Sequence, residues 1–293
     1  MKKLLISTLI LLALLLTGCG DSIPDKHIVA ATTAPLYEFV GALCEGTNIE
    51  VRLIVSEPVS CLHDYSLTVG QMRTVCESDC VFLSGAGLEE FMEDALDSAA
   101  ATVDCSRGVA LRELCEEGPG HGHDHEHGHE YDPHIWLSPE NAAVMVENAA
   151  DGLSDLYPQW QDRFEENEES LLDELAALQE YGETALSSLP RRGIITFHDG
   201  FAYFADAFGL EILASIEEES GSEASAAAMS QIAELVESLD LPAVFTEENG
   251  SDAAAKAISR ETGCEIRTLS TALSGDYFEI MRKNIDTIKE VME

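Results

Sequence analysis

Residues 193–208 read GIITFHDGFAYFADAF, and this stretch contains the unit from which the whole chain is built. A short apolar run at 193–197 is typical of a strand that is buried on both faces. After His-Asp-Gly, apolar residues recur at helical spacing, which predicts a helix over 200–208. Because a strand followed by a helix is the unit of parallel sheets, this stretch favours an α/β fold.

The same unit recurs on both sides of a long helical pattern. Strand-like runs lie at 27–32, 49–55, 80–84 and 101–105, and again at 193–197, 210–215, 242–246 and 264–269. Helical patterns lie at 35–44, 68–76, 88–98, 200–208, 224–239, 252–262 and 277–292. Between the halves, residues 158–189 carry one apolar stripe among acidic positions, typical of an amphipathic helix. We therefore predict two α/β lobes, each with a four-stranded, mostly parallel sheet flanked by helices, joined by one long rigid linking helix. The expected limits are 27–150, 151–189 and 190–293.

The N-terminus predicts export. Lys2 and Lys3 precede an apolar run of 13 residues, Leu4–Leu16, whereas a membrane-spanning helix needs about 20. Residues 1–18 are therefore interpreted as a signal peptide. The following Cys19 ends a Leu-Thr-Gly-Cys sequence that resembles a bacterial lipobox, in which the cysteine is acylated. We expect a lipid anchor at Cys19, a tether at 19–26 and a location on the outer face of the cytoplasmic membrane.

Composition excludes one class of function and leaves the redox state open. The chain has 293 residues, with 55 Asp and Glu against 16 Lys and Arg, a formal charge of −39. Such a surface repels phosphate backbones, so nucleic-acid binding is not expected. After lipidation of Cys19, seven cysteines remain, an odd number that cannot all pair within one chain. Export favours disulfides, and an anaerobic environment would leave the thiols free.

Residues 118–134 form a histidine-rich segment that reads GPGHGHDHEHGHEYDPH. It has neither helical nor strand periodicity, and Gly and Pro interrupt it. We expect a loop whose imidazoles bind metal weakly, the alternative being a merely solvated polar loop. The alternating histidines are His121, His123, His125, His127 and His129.

Four further residues are candidate ligands of a tight metal site. His63, His198 and Glu247 each follow a predicted strand, and His134 precedes a helix start at Ser138 and Pro139. In open parallel sheets, ligands bind beyond the carboxyl ends of the strands. If these ends of the two sheets face each other, the four side chains meet in one cleft. Three imidazoles and one carboxylate would complete a tetrahedral Zn²⁺ site.

Four motifs carry a specific resemblance. The segments CLHDYSLT, DPHIWLSP, TFHDGFAYFADAFGL and FTEENGSDAAAKAISRETG resemble the solute-binding lipoproteins of zinc and manganese ABC transporters, over essentially the whole mature chain. The resemblance implies two lobes bridged by a helix, with His63, His134 and His198 as ligands. Two departures leave the fourth ligand open: Cys61-Leu62 replaces the usual Asp-Pro, and the last loop, LSTALSGDYF, lacks an acid that many members have. Glu247 is the predicted fourth ligand, and Glu248, Asp276 or water are the alternatives.

The expected function is that of a monomeric receptor that captures Zn²⁺ between its lobes and delivers it to an ABC permease. A manganese or iron receptor is the alternative, but His198 occupies a position where manganese members carry Glu, and Mn²⁺ prefers oxygen ligands. A zinc hydrolase is disfavoured: the H-E-x-x-H match at residues 125–129 lies in the histidine-rich segment, which lacks the helical periodicity that this motif requires, and otherwise only Asp199 could serve as general base. We therefore expect no enzymatic activity. An adhesin role has no residue pattern to support it.

Overall fold

The computed structural model describes residues 26–56, 65–113, 131–217, 225–248 and 252–293, which form two four-stranded sheets. The first sheet has the order β2-β1-β3-β4 and the second the order β6-β5-β7-β8, and all pairings between these strands are parallel. The strands are β1 His27–Ala31, β2 Ile49–Leu53, β3 Cys80–Leu83, β4 Thr102–Asp104, β5 Gly193–His198, β6 Glu211–Glu217, β7 Ala243–Glu247 and β8 Glu265–Leu269. The predicted fold class is thereby confirmed.

Helices cover the sheets at nearly all the predicted places. They are α1 Ala34–Leu43, α2 Val69–Glu77, α3 Glu93–Leu96, α4 Pro139–Leu156, α5 Gln161–Leu186, α6 Ala202–Phe208, α7 Ala226–Leu239, α8 Ala253–Thr262 and α9 Tyr277–Met292. Ser138 caps α4 as predicted, since its hydroxyl accepts the Asn141 N–H at 3.3 Å. The segment predicted as one helix at 88–98 is instead a 3₁₀ turn, Leu88–Met92, followed by the short α3.

The long helix α5 runs between the two halves and packs on both. It has 26 residues, which corresponds to a length of about 39 Å. The Asn167 side chain donates to the Leu43 carbonyl at the end of α1, and Gln179 donates to Ala207 in α6. At Gly182 the backbone approaches Phe208 so closely that a Cβ atom would lie 2.2 Å from its ring. The preceding helix α4 ends at Leu156, and the expected end of the first lobe, at residue 150, falls inside this helix. The expected lobe limits remain predictions.

The main hydrophobic core is continuous from one half to the other. Phe82 and Leu153 of the first half, Phe164 of α5, and Phe204 and Met281 of the second half belong to one buried cluster. Shifting one half against the other would expose apolar surface, which opposes free hinge motion. A smaller cluster covers the outer face of the second sheet. Among the helices that the structure describes, none combines the length and apolar character of a membrane span.

Candidate metal centre

Two predicted ligands meet in a buried position between the halves. His198 is the last residue of β5, and His134 directly precedes the 3₁₀ turn Ile135–Leu137 that leads into α4. Their exposed fractions are 6% and 4%. Their Nε2 atoms lie 3.1 Å apart, and the rings are nearly perpendicular, at 84°.

The partner of His134 defines which ring nitrogen is available for a ligand bond. The Asp132 Oδ1 atom lies 2.9 Å from the His134 Nδ1 atom and also accepts the backbone N–H of His134 at 2.9 Å. Because a carboxylate only accepts hydrogen bonds, the His134 proton sits on Nδ1, and the lone pair of Nε2 faces His198. Carboxylate-oriented histidines are the usual arrangement at zinc sites.

The distance between the two nitrogens suits a shared tetrahedral ion. Two Zn–N bonds of about 2.0–2.1 Å at the tetrahedral angle place their nitrogens about 3.3–3.4 Å apart. The observed 3.1 Å between the Nε2 atoms of His134 and His198 is within a few tenths of an ångström of that nitrogen–nitrogen distance. The spacing of the two nitrogens is therefore compatible with a shared tetrahedral ion.

Glu247 lies at the same edge of the second sheet as His198. Thr196 pairs with Phe245 in register, so His198 and Glu247, two residues further along each strand, occupy equivalent positions. The Glu247 side chain is 6% exposed, and its Oε1 atom accepts the hydroxyl of Thr271 at 2.9 Å. Its assignment as fourth ligand stays a prediction, since the described part of the chain shows no metal-binding arrangement of Glu247 with the two histidines.

The two acids considered as alternatives to Glu247 have different surroundings from Glu247. Glu248 is exposed. Asp276 caps α9, with its Oδ1 atom accepting the Glu279 N–H at 2.8 Å. Asp199, considered above as a general base, has its Oδ1 atom 3.7 Å from the His198 Nδ1 atom, beyond hydrogen-bond range.

The remaining predicted residues lie outside the described part of the chain. These are Cys19, His63 and the five loop histidines His121, His123, His125, His127 and His129. Within the described part, no cluster of three or more His, Cys, Asp or Glu side chains is arranged to hold a metal ion. The assignment of His63 as third ligand therefore stays a prediction.

The described residues on either side of positions 114–130 lie together beside the histidine pair. Glu113 and Tyr131 form an antiparallel bridge, and the Asp132 N–H donates to the Arg112 carbonyl at 2.9 Å. Glu113 and Tyr131 thus lie side by side, directly before Asp132 and His134.

The buried thiols of Cys44 and Cys80 are poor candidates for ligands. Cys44, Cys76, Cys80, Cys105 and Cys264 are free cysteines, and all but Cys76 are buried. Burial raises the pKa of Cys44 and of Cys80 to about 12. These groups remain neutral thiols, whereas zinc binds the thiolate.

Two buried acids were missed by sequence reasoning. Asp132 could have been found, because it stands two residues before His134 in the DPH motif. Glu89 gave no such signal in an acidic chain. Its carboxyl group is buried and accepts three hydrogen bonds, from the Thr32 hydroxyl and from the N–H groups of Ser84 and Gly85. Burial raises the pKa of Glu89 to about 7.

A comparison with protein families matches residues 29–291 to the zinc-uptake complex component A, periplasmic (ZnuA). The chain belongs to the ZnuA family. The membership expected from the four sequence motifs is thereby confirmed.

Relatives of this ZnuA-family chain carry the names of zinc and of manganese proteins. It is 28% identical to the zinc-binding lipoprotein AdcA of Streptococcus pneumoniae over its whole length, but spans only 62% of that relative. It is 27% identical to the manganese-binding lipoprotein MntA of Halalkalibacterium halodurans, over 98% of each chain. A crystal structure of ZnuA superimposes on this chain with a TM-score of 0.80 and 26% sequence identity. The match covers 92% of this chain and 100% of the ZnuA chain.

Proposed function

We propose that this protein is an extracytoplasmic zinc receptor that captures Zn²⁺ between its two lobes and delivers it to an ABC permease. The observation that carries the proposal is the buried pair of His134 and His198, with their Nε2 atoms 3.1 Å apart. His63 and Glu247 complete the proposed ligand set. Membership of the ZnuA family supports delivery to a permease.

The chemistry of the donors favours zinc over manganese. Zn²⁺ is bound well by neutral imidazole, whereas Mn²⁺ prefers carboxylate, carbonyl and water oxygens. The proposed set contains three imidazoles and one carboxylate, Glu247. A manganese or iron receptor is the second candidate, favoured by the 27% identity with MntA.

The histidine-rich segment is proposed as an auxiliary collector of zinc. The flanking residues Glu113 and Tyr131 pair with each other, next to Asp132 and His134. Ions bound by the loop histidines would therefore be held close to the tight site. Loose chelation orders a long segment on binding, so each loop site is weak.

The protein acts as a binding component and not as an enzyme in this proposal. It is a monomer, anchored through lipidated Cys19 on the outer face of the cytoplasmic membrane.

A hydrolase would need a general base beside the metal, and Asp199, next to His198 in sequence, is the candidate. A laminin-binding adhesin of Streptococcus agalactiae shares the fold at 22% identity, and that likeness extends to the fold alone.

Metal choice tests the proposal. The mature chain without its lipid is mixed with limiting, equal amounts of Zn²⁺, Mn²⁺ and Fe²⁺, and the metal that co-elutes in gel filtration is measured. The expected result is zinc retention and exclusion of the other two. His27→Ala, which removes a half-exposed histidine of β1, is the matched control and should retain zinc. Retention of manganese in preference to zinc would overturn the proposal.

A further inference from the structure

The residues on both sides of His134 are bound by tyrosines of the other half. The Tyr203 hydroxyl in α6 donates to the carbonyl of Asp132 at 3.2 Å. The Tyr277 hydroxyl in α9 donates to the carbonyl of Trp136 at 2.7 Å. The two carbonyls thus belong to the residues two positions before and two positions after His134.

We propose that Tyr203 and Tyr277 are positioning residues of the metal site, which hold the His134 segment on the C-terminal half beside His198. The proposal rests on the proposed zinc function. His134 precedes α5 in sequence and leads into α4, yet these hydrogen bonds attach its segment to α6 and α9. These two hydrogen bonds then help to fix the separation of His134 and His198.

Further contacts strengthen each attachment. The Tyr203 oxygen also accepts the backbone N–H of Arg112 at 2.9 Å, so one hydroxyl joins the backbones of Arg112 and Asp132. The Arg112 side chain forms an ion pair with Asp206 of the same helix α6. On the other side, the Trp136 indole N–H donates to the Thr271 carbonyl at 2.7 Å.

The side chains that make these contacts are buried, so the hydrogen bonds are costly to break. Tyr203 is 4% exposed, and Trp136 and Tyr277 are fully buried. Both tyrosines are neutral hydroxyl donors at neutral pH, and burial raises the pKa of each further. A buried carbonyl that loses its donor has no water to replace it, so the bonds resist breaking.

A preformed pair of ligands binds an ion more tightly than a pair that must be assembled. When the ligands are held in place beforehand, binding does not have to order them, and dissociation of one nitrogen is followed by fast rebinding. Loss of either tyrosine hydroxyl should therefore act mainly on the rate at which zinc leaves.

Tyr203→Phe and Tyr277→Phe test the proposal, because each removes one hydroxyl and keeps the ring. Tyr157→Phe is a matched control. Tyr157 is also 4% exposed, and its hydroxyl donates to Asp79 at 2.8 Å within the N-terminal half. The zinc-loaded proteins are mixed with excess chelator, and zinc release is followed in time.

The expected result is release about tenfold faster in Tyr203→Phe and in Tyr277→Phe, and a rate within twofold of wild type in Tyr157→Phe. With Co²⁺ in place of Zn²⁺, the d–d absorption of the bound ion should change in the two test variants and not in the control. A purely structural role would lower the melting temperature of all three without changing that spectrum.

Wild-type release rates and cobalt spectra in both test variants would overturn the positioning roles. If zinc still binds tightly to wild type and is lost in His198→Ala, that outcome leaves the zinc receptor intact and rejects this inference alone. If wild type itself binds no zinc tightly, the proposed function fails first, and the positioning roles fail with it.

Discussion

The Nε2 atoms of His134 and His198 lie 3.1 Å apart, although the residues are 64 positions apart in sequence. One imidazole comes from the turn that starts α4 and the other from the end of β5. The pair therefore depends on how the two halves pack, and a continuous hydrophobic core fixes that packing. Substitutions that change the orientation or charge of the pair should be visible first in metal affinity.

Asp132→Asn should reduce zinc affinity by about 10–100-fold, the usual effect of losing a carboxylate that orients a ligand histidine. The substitution removes the negative charge beside the His134 Nδ1 atom, at 2.9 Å, and so lowers the basicity of Nε2. Competition titration against a chelator measures the effect. Asp79→Asn is the control, since Asp79 binds Tyr157 and Ile28 in the N-terminal half. Equal affinity in Asp132→Asn and wild type would contradict the orienting role.

Glu247→Gln should reduce zinc affinity by more than about tenfold, or roughly 1.4 kcal/mol. A carboxylate lowers the net charge of a buried zinc–imidazole unit, and the amide cannot. The exposed neighbour Glu248 provides the control, because Glu248→Gln changes the same charge outside the site. Unchanged affinity in Glu247→Gln, together with a water as fourth ligand in a zinc-bound crystal structure, would show that Glu247 is not a ligand.

Deletion of residues 118–130 should lower the number of zinc ions bound and leave the tightest site intact. The chain ends flanking the histidine-rich segment already pair at Glu113 and Tyr131, so residues 114–117 suffice to close a short connection. Isothermal titration counts the sites. Loss of the tight site in a deletion variant that is still folded would mean that the loop supplies an essential ligand.

The change in the free energy of unfolding caused by Glu89→Gln should depend on pH. Burial raises the pKa of Glu89 from 4.5 to about 7, so the folded state binds this proton more strongly than the unfolded state. The stability that Glu89 contributes is therefore fully present below pH 4.5 and falls as pH rises to 7, by up to about 3 kcal/mol. The free energy of unfolding of metal-free wild type minus that of Glu89→Gln should fall between pH 5 and 8.

Urea titrations at several pH values measure this difference. Because the comparison is between two proteins, other titrating groups such as Glu38, whose pKa burial also raises to about 7, cancel. A difference that stays constant or grows with pH would show that Glu89 is ionised throughout.

Most of the architecture could be predicted from sequence because parallel strands buried on both faces appear as short continuous apolar runs. Ser138 and Pro139 likewise marked the start of α4 through local chemistry. The prediction failed at 88–98, where Glu89 turns inward to bind Thr32, 57 positions away. No local pattern contains such a contact.

In the candidate site, too, features that follow from the order of strands and helices could be predicted, whereas contacts between distant residues could not. His198 and Glu247 were placed at a sheet edge by topology, which follows from the order of strands and helices. The hydroxyls of Tyr203 and Tyr277 were not anticipated, because their acceptors are carbonyls of a distant segment. Any residue supplies a carbonyl, so the acceptor leaves no trace in the sequence.

Zinc affinity of three histidine variants tests the central claim most directly. Competition titrations on the mature chain compare wild type with His134→Ala, His198→Ala and the control His27→Ala. We expect a loss of at least about a thousandfold in the first two variants, since each removes a metal–imidazole bond from a buried site, and no change in the control. Full zinc affinity in His198→Ala would contradict the assignment of the metal centre.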